Sequence, residues 1–350
     1  MTNADIAQRL HHFRHELNVP AAIAAVTDAD DLVGIEVLGH RSRADLEPAT
    51  IDDQWHIGSC GKSLTALLYG CLVEADLASW GTPISEIFDD LADVDSGWSS
   101  VTIDDVLHGR AGIQPNLSGS EMIAGHKNTG PITNQRTVAA TSVLQSSPNN
   151  PGRFVYSNLG YTIVGAAIDR LAGTSYEEAM ARYVLSPLGI TTAGFGAPPL
   201  IRGHHPRFRL GPLLLGQGKP AEPDGDDPAD NPAVLSPAGR MHLSVPDWAA
   251  IIRVFLNGGT PLVSSQTIDH LLLDPDQGGK GRSMSMGWSS GGALGATHAM
   301  QGSNTMWAAT VLMDRKSGRA ALTVANDGRM KVIQGSAHLA SGMLLRVTGD

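Results

Sequence analysis

Apolar positions set the first outline of this chain. Ile6, Leu10, Phe13 and Leu17 recur at helical spacing through residues 4–17 and predict an amphipathic helix. Residues 20–27 (PAAIAAVT) and 32–38 (LVGIEVL) read as two strands across an Asp-rich turn, a hairpin signal. Helical periodicity then dominates: residues 60–76, a short segment at 102–108 with Thr102 as its cap, 158–172 stopped by Gly173, 175–186 broken at Pro187, 245–257 and 264–272. From about residue 285 the period shortens again. Residues 293–300, 305–313 and 319–326 read as three strands, and 331–345 as a closing helix.

Strand-like segments therefore sit at both ends and helices fill the middle. The expected fold is α/β in the α+β sense: an antiparallel sheet built from both termini, flanked by the terminal helices, with a large, mostly helical insertion. The expected division is 1–55 with 285–350 as the sheet domain and 56–284 as the helical one. Residues 199–235 stand apart. Prolines 206, 212, 220, 223, 228 and 232 alternate there with glycine and acidic residues, too long a stretch for a plain connection, and the segment reads as a lid.

Composition narrows the class. The 350 residues are 42% hydrophobic and carry a net charge of −10, enough for a sizeable core and without the basic face of a nucleic-acid binder. Residues 1–14 lack the apolar centre of a signal peptide and no run of 18 apolar residues occurs, so a cytoplasmic chain without membrane partners is expected. Cys60 and Cys71 lie in one predicted helix, about 16 Å apart along its axis, and cannot pair with each other.

The chemistry concentrates at Ser59-Cys60-Gly61-Lys62, at the mouth of a helix. Serine and lysine three residues apart share one helix face, which sets an amine beside a hydroxyl. The positive helix end and burial both favour a neutral amine able to take the serine proton. By itself the pattern equally describes a capping serine and a solvated lysine. A second cluster, Tyr156-Ser157-Asn158, opens another helix: Tyr156 suits an acid/base shuttle whose phenolate a Lys62 ammonium would favour, and Asn158 an amide for a substrate carbonyl. Other signals are weaker. The Gly61-Lys62-Ser63 string has His56 where a phosphate loop needs glycine. His11, His12 and His15 read as a solvated helix face, and His204-His205 with Arg207 and Arg209 as lid decoration or a contact for an acidic group. No cofactor or metal is expected. Cys60 reads as a small buried residue.

Taken together, Trp55-His56-Ile57-Gly58-Ser59-Cys60-Gly61-Lys62, Val101-Thr102-Ile103-Asp104-Asp105-Val106-Leu107, Tyr156-Ser157-Asn158-Leu159-Gly160-Tyr161, Ser236-Pro237-Ala238-Gly239-Arg240 and Gly302-Ser303-Asn304-Thr305-Met306-Trp307 resemble the serine β-lactamase and penicillin-binding-protein superfamily, in particular its class C β-lactamase-like esterases and peptidases. The similarity covers most of 50–190 and 235–330, in order. It implies Ser59 as acylated nucleophile, Lys62 as its amine partner, Tyr156 as proton shuttle, and the backbone N–H groups of Ser59 and Ser303 as oxyanion hole. It also implies Asn158 and the strand Met300-Gln301-Gly302 against the substrate. One departure stands out: Met300 occupies the place of the family's Lys or His in the third motif, with His298 two positions earlier on the same strand face as a candidate substitute. Without that charge a substrate carboxylate loses its anchor. The expectation is a carboxylesterase for a neutral small acyl substrate. An amide or D-amino-acid peptide hydrolase, an acyltransferase, a weak β-lactamase and a catalytically degenerate ligand binder are the alternatives.

Overall fold

A computed structural model describes residues 1–210, 213–222, 228–276, 283–290 and 292–345. Seven strands form one antiparallel sheet in the order Leu32–Gly39, Ala21–Asp28, Arg319–Ala325, Ala308–Asp314, His298–Gly302, Trp288–Ser290, Met284–Ser285. The register sets Ile23 against Val324 and Gly302 against Ala309. Strand Ala21–Asp28 is apolar on both faces because both faces are covered. Ala22, Ala24 and Val26 pack with Ile6, Leu10, Val332 and Met343 from the terminal helices Asn3–Leu17 and Met330–Leu345. Ala21, Ile23 and Ala25 face the other way, into a core shared with the helical region. That is the sheet expected from the patterning. Its last two strands are too short to leave a period-two signature.

Within the helical region, helix Asn158–Ala172 starts at Ser157, whose side chain accepts from the Gly160 N–H, and stops at Gly173 in the left-handed region, φ 65°. It buries eleven consecutive residues from Leu159 to Asp169, and so passes through the core instead of lying on its surface. Helices Gly119–Lys127 and Ile132–Leu144 carry little periodicity. The first buries nothing, and the second buries only Arg136, Ala140 and Leu144. Arg136 is fully buried and held by Asp169 at 2.8 Å and Glu177 at 2.9 Å, so a charged residue marks a buried face there.

Three further findings depart from the patterning. The strand expected at 293–300 begins at His298, after a turn at Ala293–Gly295. A three-stranded sheet of Trp55–His56, Met241–Leu243 and Gly194–Phe195 holds the chain just before Ser59. The proline-rich segment contains a β-hairpin, His204–Leu210 with Leu213–Pro220. His204 anchors it: the Arg43 N–H donates to its Nε2, and its Nδ1 donates to the Asn326 carbonyl at 2.7 Å. His204 is therefore a buried tie between segments and not an exposed contact for an acidic group.

Candidate active site

Ser59 sits in a single 3₁₀ turn, Gly58–Cys60, that runs into helix Gly61–Glu74. Gly58 makes the turn at φ 52°. A Cβ there would meet the Ser303 nitrogen at 2.5 Å, and one on Gly302 would meet the Ser59 nitrogen at 2.8 Å. Glycine at both positions lets two backbones close on each other, and the Ser59 and Ser303 amides converge as a result. Gly239 (φ 150°) closes a third side, where a Cβ would meet the Ser59 nitrogen at 2.9 Å.

Lys62 follows one helical turn later and is fully buried. Its Nζ lies 3.1 Å from Ser59 Oγ, donates to Asn158 Oδ1 at 2.7 Å, and donates to the Ala238 carbonyl. Burial lowers its pKa to about 7, against a smaller opposing influence of Cys60. A neutral amine has two N–H groups and one lone pair. Asn158 and Ala238 take the two hydrogens, which leaves the lone pair for the Ser59 hydroxyl. The amine's lone pair therefore faces a hydroxyl within hydrogen-bond reach, the geometry that proton transfer between the two requires.

Tyr156 closes the other side. Its ring centroid is 5.0 Å from Lys62 Nζ, and its hydroxyl meets Ser59. Desolvation raises that hydroxyl to about 12, against the opposing hydrogen bond from Ser59. This reverses the phenolate expected from the sequence. An amine lowered to about 7 gives its proton up far more readily than a phenol raised to about 12, so the phenol keeps its proton. The two pKa values are pushed apart, the arrangement that separates an acid from a base.

A cavity of about 260 Å³ opens over Ser59, lined by Asn116, Met122, Asn158, Asn231, Leu235, Ala238, Gly239 and Ser303, with no charged side chain among these residues. Asn158 therefore reaches both the lysine and the cavity, and its Nδ2 donates to Asn116 Oδ1 at 2.6 Å. The other expected substrate contacts fall elsewhere. Met300 is buried in the core and offers its carbonyl to Cys60 Sγ at 3.6 Å. Gln301 points to the opposite sheet face and donates to the Ile333 carbonyl at 3.0 Å. His298 has Nε2 at 3.1 Å from the Leu272 carbonyl and Nδ1 at 3.1 Å from Thr297 Oγ1, with its ring against Trp288. Both nitrogens are engaged away from the cavity, so His298 does not stand in for the missing third-motif base. Gly302 contributes through the space its missing Cβ leaves. Cys60 is buried beside Ser59, and desolvation pushes its thiol pKa well up, which keeps it protonated.

Asn116, Asn231, Leu235 and the Ala238 carbonyl escaped the sequence reading. Asn116 and Asn231 lie in loops without periodicity, and a backbone carbonyl leaves no residue-type signal. Only the Pro237-Ala238-Gly239 string and the lid segment 199–235, which contains Asn231 and Leu235, pointed near the site.

The Beta-lactamase family model matches residues 6–337. The chain belongs to the β-lactamase family. It is 25% identical over 253 residues to the Unguisins hydrolase ungD of Aspergillus violaceofuscus (strain CBS 115571), covering 68% of this chain and 42% of that protein. It is 26% identical over 265 residues to Penicillin-binding protein 4 of Amycolatopsis lactamdurans, covering 72% of this chain and 63% of that protein. This family member thus spans less than two thirds of either relative. In fold it resembles the D-amino acid amidase of Ochrobactrum anthropi SV3 at a TM-score of 0.78, with 17% identity and 99% of each chain covered. Among its described residues no helix is long and apolar enough to cross a membrane.

Proposed function

We propose that this β-lactamase-family chain is a serine hydrolase that forms an acyl-enzyme on Ser59 and acts on a neutral small carboxylic ester. The observation that carries the reading is the buried Lys62 amine, with both hydrogens taken by acceptors and its lone pair left to Ser59. Ser59 Oγ attacks the substrate carbonyl carbon as its proton passes to Lys62 Nζ. The carbonyl oxygen becomes the oxyanion and receives the Ser59 and Ser303 N–H groups, in general the largest single catalytic contribution. On collapse the C–O bond to the leaving group breaks. The Tyr156 phenol, still protonated at neutral pH, donates to the departing alkoxide and regains a proton from the Lys62 ammonium. Water then attacks the acyl carbon along the reverse of this route and frees the acid. The uncharged cavity lining supports a neutral acyl compound over an anionic one.

A second reading, amide or D-amino-acid peptide hydrolysis, draws on the carboxamides of Asn116, Asn158 and Asn231 around the cavity and on the activities named for the unguisin hydrolase and the D-amino acid amidase. Both readings are tested together. Fluorophosphonate labelling is expected in the wild type and not in Ser59→Ala. p-Nitrophenyl acetate should turn over faster than the anionic p-nitrophenyl succinate. D-alanine p-nitroanilide cleaved faster than either ester would favour the amidase reading. No labelling and no turnover would overturn the hydrolase reading in favour of a non-catalytic binder.

A further inference from the structure

We propose that His56 is a positioning residue for the oxyanion hole, clamped between the Gly58 amide and the Asp230 carboxylate; the catalytic part of this inference rests on the acyl-enzyme reading above. His56 is fully buried, with its ring against Trp307 at 5.3 Å between centroids. The Gly58 N–H donates to its Nδ1 at 3.1 Å. A nitrogen that accepts carries no hydrogen, so the ring hydrogen lies on Nε2 and is donated to Asp230 Oδ2 at 3.0 Å.

The same carboxylate gathers the rest of the site. Asp230 Oδ1 accepts from Asn304 Nδ2 at 3.0 Å and from the Asn231 N–H at 2.8 Å, and Arg240 Nε stands 3.4 Å from Oδ2. Asn304 in turn accepts the Met306 N–H on its Oδ1 at 3.1 Å, which pins the loop after strand His298–Gly302. Gly58 precedes one hole donor, Ser59, and Asn304 follows the other, Ser303. One carboxylate thus holds the neighbours of both donors, the first through His56 and the second directly. Asn231, the residue after Asp230, lines the cavity, so the clamp also sets one pocket wall. A buried ionic network of this kind is a poor source of stability against apolar packing. Its distinctive contribution is direction, since a hole donor acts only when aimed at the developing oxyanion.

Two substitutions separate the halves of the clamp. In His56→Asn the side-chain oxygen takes the place of Nδ1 and keeps the Gly58 contact, but the side chain is too short for Asp230. In His56→Gln the amide nitrogen reaches Asp230 and the acceptor for Gly58 is lost. We expect His56→Gln to lower kcat for p-nitrophenyl acetate and the fluorophosphonate labelling rate by about 10- to 100-fold, with KM within about threefold, part of the loss a removed hole donor causes. His56→Asn, which keeps the Gly58 acceptor and loses only the Asp230 contact, should lose less activity than His56→Gln, although both variants melt lower. Equal losses in the two variants that follow their melting temperatures, or wild-type rates in His56→Gln, would overturn the proposal. Ring-nitrogen NMR of the wild type gives a readout free of activity: an Nε2-protonated His56 is expected, and an Nδ1-protonated ring would overturn the clamp. Failure to label Ser59 in the wild type would remove the acyl-enzyme reading, and the ring NMR would still decide the clamp.

Discussion

The Lys62 amine donates to Asn158 Oδ1 at 2.7 Å across the helix mouth, 96 residues away in the chain. A neutral carboxamide accepts from the amine without favouring its charged form as strongly as a carboxylate would. Asn158→Asp places that carboxylate beside Lys62 and raises the amine's pKa. At pH 7 less of the amine is then free, and kcat/KM should fall about tenfold or more, one pKa unit being a factor of ten. Raising the pH should restore much of the rate. A variant whose pH profile keeps the wild-type acid limb would defeat the assignment of Lys62 as base.

The wild-type profile follows from the same residue. Lys62 is lowered to about 7 by burial and acts deprotonated, so kcat/KM should fall as pH drops through about 7 and level off above it. Tyr156, raised to about 12, stays protonated through that window and adds no limb near neutrality. Lys62→Ala should reduce Ser59 labelling by orders of magnitude while far-UV circular dichroism stays unchanged. Near-normal turnover would rule the amine out.

Gly302→Ala tests the convergence of the two amides. The new Cβ would meet the Ile57 carbonyl at 2.0 Å and the Ser59 nitrogen at 2.8 Å, both backbone atoms that cannot swing aside. The strand must move away from the turn that carries Ser59. We expect a loss of about 100-fold or more in kcat, of the order caused by removing a hole donor. Steady-state kinetics with p-nitrophenyl acetate reads it, and wild-type kcat would count against Ser303 as a donor.

Arg136→Met tests the buried charge that ties helix Ile132–Leu144 to helix Asn158–Ala172. It leaves Asp169 buried without its partner, at an expected cost of about 3–5 kcal/mol in chemical denaturation. The Asp169 carboxyl is already raised by burial, against the opposing guanidinium. It should rise further without Arg136, so the variant should recover part of its loss at acid pH, where the carboxyl protonates. A cost below about 1 kcal/mol would mean that the pair adds nothing beyond its packing.

The hairpin His204–Leu210 with Leu213–Pro220 carries exposed Phe208, Leu210, Leu213 and Leu215, and its Arg209 donates to Thr305 Oγ1 at 3.0 Å, two residues beyond Ser303. Replacing 206–219 with a short turn should alter the range of esters accepted more than the melting temperature. Unfolding of the shortened chain would show that the segment is structural and not a lid.

Local order set down most of the frame. The Ser59-to-Lys62 spacing on a helix, the capping Ser157 beside Asn158, the glycine at 302 and the apolar run in Ala21–Asp28 are written in neighbouring residues, and short-range sterics turn them directly into geometry. What local order does not contain is which distant groups meet. The short strands Met284–Ser285 and Trp288–Ser290 and the polar helix Ile132–Leu144 exist because of what they pack against. His298 and Met300 share a strand face with Gly302 as periodicity requires, yet the Leu272 carbonyl and the core claim them before a substrate can. The direction of Tyr156 was misjudged for the same reason. A pKa depends on how much water and charge surround a group, and desolvation lowers Lys62 to about 7 while it raises Tyr156 to about 12. The sequence by itself determined the family and the pairing of Ser59 with the Lys62 amine. The tertiary structure decided their protonation states, the uncharged cavity and the carboxylate of Asp230 behind the hole, because desolvation and long-range contacts arise only when the chain closes on itself.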